Sequence, residues 1–339
     1  MKKITSLILS LSIFAFSCQR QTTSSEKISF QGEAQGTYYL VTYFDEQNRN
    51  LQMEIDSILL DFDQSLSSWV PNSILSRVNR NEENVILDQY FIDNFNLSAK
   101  VSEESGGAFD CTVGPLIEAW GFGFRQKIEL SQEMIDSIQA FIGYKKVWIE
   151  NNMLVKSDPR MELSFNAVAQ GYSVDVVGRF LKNLGIQNFI IDIGGEVLAS
   201  GIKPNSELWQ VGIQKPTENQ DGEIEAEVIV SLKDKALVTS GSYRKYYEKN
   251  GKRYSHMIDP STGYPVTHSL LSVSVLADKC AEADAYATAF MIMGLEKSLS
   301  FLEGRIDLEA FFIYTDHENK MATKATDGLS NLMQKSYPF

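Results

Sequence analysis

The stretch between residues 188 and 316 constrains the fold more than any other part of the chain. Strand-like runs follow one another there. "NFIIDIGGEVLASG" reads as a buried strand, a tight Gly-Gly turn and a second strand, and "ELWQVGIQKP", "EAEVIVSLKDKALVTSG", "SLLSVSVLA" and "LEAFFIYTD" read as further strands. Upstream, "ISFQGEAQGTYYLVTYF" is a strand pair around a glycine turn. Helical spacing appears in "NLQMEIDSILLDFDQSLSSW", in "NFNLSAKVSEESGGAFD" before the pair Gly106-Gly107, in "FNAVAQGYSVDVVGRFLKNLG" ending at Gly185, and in "CAEADAYATAFMIMG". Strands that come in runs, with helices mixed among them, predict an α+β fold with mixed or antiparallel sheets and packed helices. No GxGxxG follows the first strand and no GxxxxGK[ST] occurs, so neither a Rossmann nor a P-loop site is expected.

With 339 residues the chain can bury a sizeable core without disulfides. Its formal net charge is −13, which disfavours nucleic acid as a partner. A polyanionic substrate would need local compensation, for which a divalent metal is the usual device. Besides Cys18, only Cys111 and Cys280 are present, and they are expected to be reduced and buried.

The chain starts "MKKITSLILSLSIFAFSC": two lysines, an apolar run too short for a membrane span, then small residues before Cys18. An ordinary secretory signal shares this pattern. The order Ala-Phe-Ser-Cys, however, resembles the lipobox of bacterial lipoproteins. The expected organisation is a signal peptide at 1–17, lipidated Cys18 with a polar tether through residue 26, and one domain over 27–339. Acyl (palmitate-type) chains on Cys18 would hold the protein at a periplasm-facing membrane surface, each buried methylene contributing about 0.8 kcal/mol.

Chemistry-bearing residues are concentrated in a few segments. Asp284 and Thr288 in "AEADAYATAF" are four apart, so a helix puts carboxylate and hydroxyl on one face. Such oxygen donors suit Mg²⁺. The same pair could instead serve the helix itself, Asp near its N-terminus and Thr bonding back to a carbonyl. "FDCTVGPLIEAWGFG" sets aromatics beside glycines, as a slot for a flat ring or as a packed loop. "DIGGE" permits close approach of a ligand or forms a hairpin turn. "TSGSYRKYY" offers hydroxyls and basic residues. In "SHMIDPSTGYP", His256 stands at the mouth of a turn stiffened by Pro260 and opened by Gly263. A histidine held there can act as a base near neutral pH, or can be structural.

Taken in order, "FDCTVGPLIEAWGFG", "FNAVAQGYSVD", "DIGGE", "TSGSYRKYY", "SHMIDPSTGYPV" and "AEADAYATA" resemble the ApbE family of FAD:protein FMN transferases, from about Gly36 to Gly294. The resemblance implies an ApbE-type α+β fold, FAD as substrate, and Mg²⁺. It implies transfer of FMN to a Thr or Ser hydroxyl of a target protein with release of AMP. Targets would be subunits of membrane redox pumps or other exported flavoproteins. Ala108, Phe109 and Asp110 match an FAD-binding triplet. Trp69 stands where the family has Tyr and would pack on flavin or adenine. Gln35 replaces a Met near FAD, and Ser164 replaces a frequent Asp, which weakens both as FAD contacts. Gln170 stands where Lys is common. Ala167, through its backbone carbonyl, matches a metal ligand, with Asp284 and Thr288 as the others. His256 matches an FAD-site position and is the candidate base, with Asp259 second as an orienting group. Two other readings use the same residues: Mg²⁺-dependent hydrolysis of FAD to FMN and AMP, and FAD binding without turnover.

Overall fold

The computed structural model describes residues 26–123, 130–216, 226–242, 246–249 and 252–335. The expected signal peptide and Cys18 lie outside these residues, as do Arg244 and Lys245 of "TSGSYRKYY". Glu26, expected to close the tether, is already the first residue of a strand and pairs with Asp45.

In chain order, β1 (Glu26–Ala34) and β2 (Thr37–Asp45) form a hairpin; α1 (Gln52–Leu66), α2 (Ile74–Asn79), α3 (Gln89–Glu104), α4 (Gly114–Ala119) and α5 (Gln132–Gln139) follow. The short pair β3 (Val147–Glu150) and β4 (Met153–Lys156) precedes α6 (Ala169–Asn183). Then come β5 (Phe189–Ile193), β6 (Glu196–Ser200), β7 (Trp209–Gln214), β8 (Ala226–Leu232), β9 (Lys235–Gly241), β10 (Tyr246–Lys249), β11 (Lys252–Ser255) and β12 (Leu270–Ala277). The chain continues through α7 (Cys280–Met293), α8 (Leu295–Leu302), β13 (Glu309–Thr315), β14 (Met321–Ala325), α9 (Asp327–Ser330) and β15 (Met333–Lys335).

The main sheet has the order β1-β2-β5-β6-β9-β12-β13-β14. Every neighbouring pair in it is antiparallel, so the expected α+β class is realised in its antiparallel form. The first hairpin turns at Gln35 and Gly36, with φ of 55° and 74°. Positive φ at both central residues matches the right-handed twist of the flanking strands, and Gln35 accepts a conformation more usual for Gly or Asn.

Two cores explain why the central strands read as continuous apolar runs. On one face, Leu198, Ala236, Val238, Val273, Val275 and Phe312 pack with the helices. On the other, Ala199, Leu237, Leu276, Phe311 and Ile313 pack with Trp209, Val230 and Leu232 of a second sheet, β15-β8-β7. Adjacent residues point to opposite faces and both faces are covered, so these strands are mostly apolar, and the serines that alternate in β12, Ser272 and Ser274, are themselves buried. The edge strand β1 and the first half of β2 have water on one side and alternate.

Helices α6 and α7 lie together on the main sheet and carry the segments that matter most for chemistry. Residues 165–168, expected to open α6, form a turn instead, with the Phe165 carbonyl accepting from the Val168 and Ala169 N–H groups. No described helix is long and apolar enough to cross a membrane. Cys111 and Cys280 are buried free thiols, as expected, and burial pushes both thiols up in pKa, away from reactivity.

Candidate active site

A cavity of about 360 Å³ opens over the helix face of the sheet. Of the residues singled out from sequence, Ala108, Phe109, Asp110, Ser164, Ala167, His256, Asp284 and Thr288 all line it. They come from segments far apart in sequence. Its wall also includes Gln170, Gly194, Glu196 and Ser240, which places the Gly-Gly turn and the Thr-Ser-Gly segment at the site and not only in hairpins.

Asp284 sits on α7, 5% exposed. Its Oδ2 accepts from the Gly171 N–H of α6 at 3.1 Å. Burial pushes its carboxyl up to about 7, and that one hydrogen bond opposes the shift. Thr288 lies one turn on, its hydroxyl 3.5 Å from that of Ser240. The approach of α6 to α7 depends on glycine. A Cβ at Gly171 would lie 2.5 Å from the Cys280 carbonyl oxygen and 2.8 Å from the Asp284 Cβ. Gly171→Ala is therefore expected to cost about 1–3 kcal/mol of stability by overpacking, read from urea denaturation.

Asp110 is in the wall, but both its oxygens are held by the scaffold. Oδ1 accepts from the Thr112 N–H at 2.8 Å and the Thr112 hydroxyl at 2.7 Å, and Oδ2 accepts from the Tyr144 N–H at 2.9 Å. Burial pushes this carboxyl up, and these donors pull it back. Its visible role is to tie the loop before α4 to the turn at Tyr144. Asp110→Ala strands these buried donors and is expected to cost about 3 kcal/mol in unfolding free energy.

The turn after His256 is braced from outside. Asp259 Oδ1 accepts from the N–H of Ser261 at 2.8 Å and its hydroxyl at 2.7 Å. The Gly263 N–H donates to the Asp259 carbonyl at 2.8 Å, and Gly263 adopts φ of 73°. Trp120 Nε1 donates to the Gly263 carbonyl at 2.8 Å, and Gln139 Nε2 donates to the carbonyls of Pro260 and Ser261, each at 3.0 Å. Asp259 thus orients the turn. It does not line the cavity, whereas His256 does, with its ring edge-on to Phe122 at 6.4 Å.

Two expected FAD contacts stand outside the cavity wall. Trp69 is on the loop between α1 and α2 and is 77% exposed. Gln35 lies against α6, where the Ser173 hydroxyl donates to its Oε1 at 3.4 Å, and its buried Nε2 meets no acceptor among the described residues. Sequence reasoning passed over Asn166, Met257 and Ile292, which also line the cavity. Ile292 was findable, being one further helical turn beyond Asp284 and Thr288.

The cavity contains Asp110, Glu196 and Asp284 but no Lys or Arg among the described residues. The described wall thus offers a diphosphate no lysine or arginine. No group of three or more His, Cys, Asp or Glu side chains suited to a metal occurs among the described residues. One buried carboxylate, a hydroxyl one turn away and the nearby Ala167 backbone form a weak, hard-oxygen set. That set fits Mg²⁺, which takes few carboxylates and completes its shell with phosphates and water.

The ApbE family model matches residues 35–312. The chain belongs to the ApbE family. Among its relatives is the FAD:protein FMN transferase of Haemophilus influenzae, 33% identical over 350 residues, covering 98% of this chain and 99% of that protein. The FAD:protein FMN transferase of Vibrio cholerae is 34% identical, covering 82% and 85%. The ApbE architecture is equally plain in solved structures. The flavin transferase ApbE from Vibrio cholerae superposes with a TM-score of 0.80 at 31% identity, covering 91% of this chain and 99% of that one. The apo form of the Pseudomonas stutzeri flavinyl transferase ApbE gives 0.81 at 32%, covering 91% and 97%.

Proposed function

We propose that this ApbE-family chain transfers the FMN half of FAD to a threonine or serine hydroxyl of a target flavoprotein, releasing AMP. The observation that carries the reading is the joining of His256 to the Asp284–Thr288 pair in one cavity without a lysine or arginine among the described residues. The names of the relatives support the same activity.

The acceptor hydroxyl oxygen attacks the phosphorus of the FMN half. The bond from that phosphorus to the bridging oxygen breaks, and AMP leaves with that oxygen. His256 takes the proton of the attacking hydroxyl, which neutral imidazole can do near pH 7. Asp284, Thr288 and the Ala167 carbonyl would hold Mg²⁺, which supplies neutralisation of phosphate charge as the transition state forms. Asp259, Trp120 and Gln139 keep the histidine's turn from shifting when substrate enters. The aromatic wall, Phe109 and Phe122, offers apolar surface to a flat ring.

The acceptor would be an exported flavoprotein, such as a subunit of a membrane redox pump. The "AFSC" segment supports a lipid anchor at Cys18, export by residues 1–17, and action at a periplasm-facing membrane. Mass spectrometry of the expressed protein tests this: the reading expects an N-terminus at Cys18 carrying acyl chains, and an unmodified Met1 would overturn it. Transfer itself is tested by Mg²⁺-dependent flavin labelling of a threonine-bearing acceptor. AMP release with no labelled acceptor would instead favour hydrolysis of FAD at the same site.

A further inference from the structure

Helix α7 begins without a cap of its own. Its N-cap residue, Lys279, makes no side-chain hydrogen bond to the first turn. The first N–H groups of a helix have no partner inside it and must be satisfied otherwise when buried. Here they are satisfied from the neighbouring helix. Asp175 of α6, a buried carboxylate, accepts from the Cys280 N–H through Oδ1 at 2.9 Å and from the Ala281 N–H through Oδ2 at 3.0 Å.

This contact is one rung of a ladder. Gly171 and Asp175 are one turn apart on α6, and Cys280 and Asp284 are one turn apart on α7. Gly171 donates to Asp284, and Cys280 donates to Asp175, so each helix gives and receives. One turn beyond the Gly171–Asp284 rung stand Ala167 and Thr288, both in the cavity wall. The Asp175 clamp therefore fixes the sliding position of the helix bearing Asp284 and Thr288 against the segment bearing Ala167. Glycine at 171 allows the close approach, and Asp175 sets its register.

We propose that Asp175 is a positioning residue for the metal site: it touches neither FAD nor metal, but sets the separation of the oxygen donors. This rests on the Mg²⁺ reading of Asp284, Thr288 and Ala167. Groups that orient the ligands of a metal are commonly worth about 10- to 100-fold in metal affinity. A bare capping role would instead show in stability alone.

The test titrates the purified chain with Mn²⁺ in the presence of FAD, counting free Mn²⁺ by electron paramagnetic resonance and subtracting an FAD-only control. Asp175→Asn is expected to weaken Mn²⁺ binding by about 10- to 100-fold. A second substitution, Lys279→Asp, gives α7 a cap of its own, since residue 279 already has the extended backbone a capping residue needs. In the double variant the thermal midpoint should return while the Mn²⁺ affinity does not. If Asp175→Asn alone fails to fold, the double variant carries the measurement. Unchanged Mn²⁺ affinity on losing Asp175, or affinity that returns together with the midpoint, would overturn the positioning role. Failure of the unsubstituted chain to retain Mn²⁺ would overturn the metal reading and this inference with it, and shows itself in the parent protein.

Discussion

Replacing Asp284 with asparagine will make the metal-free protein more stable at pH 8 while lowering transfer by about a thousandfold. The carboxyl is buried and pushed up to about 7, against an ordinary value of 3.8, with burial as the cause and the Gly171 N–H opposing it. In the unfolded chain the group loses its proton near 3.8, whereas the fold retains it until about 7. The folded state thus binds more protons through that window, and its stability falls as pH rises from about 4 to 7. Asparagine is neutral throughout and can still accept from Gly171. A shift of this size corresponds to at most about 4 kcal/mol, at 1.36 kcal/mol per unit. Urea denaturation in chelator should show the variant's advantage absent near pH 4 and fully open by pH 8. Adding Mg²⁺ should stabilise the parent and leave the variant unmoved. Transfer by the variant should fall by about a thousandfold, since metal neutralisation of phosphate charge is worth several kcal/mol. A variant no more stable than the parent at pH 8 would overturn the buried, proton-retaining carboxyl, and one that transfers at the parent rate would remove Asp284 from the metal site.

His256→Ala is expected to lower the transfer rate by about 10²- to 10⁴-fold, the range for losing a positioned base. FAD binding, measured by quenching of flavin fluorescence, should change far less than the rate. The residual rate should climb with pH, because hydroxide then takes the place of the missing imidazole. The stiff turn gives this prediction its sharpness. Asp259, Trp120, Gln139 and Gly263 hold it whether or not the histidine is present, so the substitution removes a proton acceptor and little structure. Transfer at the parent rate would leave His256 as a wall residue.

The two-faced burial of the main sheet made its strands legible. Val275 and Leu276 point into different cores, yet both must be apolar, so the runs stood out although their partners were unknown. The antiparallel order was less accessible, because β2 pairs with β5 across the whole helical segment between them. Asp284 and Thr288 could be read as a pair because helical spacing is local. Asp175 could not: its partners are about a hundred residues away, and nothing near it in sequence announces them. Asp110 shows the converse. The family resemblance marks it as an FAD contact, and the fold adds a bond to Tyr144 that no local pattern contains.

The most direct test of the central claim is transfer itself. Purified chain, FAD and Mg²⁺ are mixed with a threonine-bearing acceptor domain from a redox-pump subunit and resolved under denaturing conditions. The account predicts a fluorescent flavin band on the acceptor that requires Mg²⁺ and is lost with Asp284→Ala. A dark acceptor, with FAD left intact and no AMP released, would contradict it.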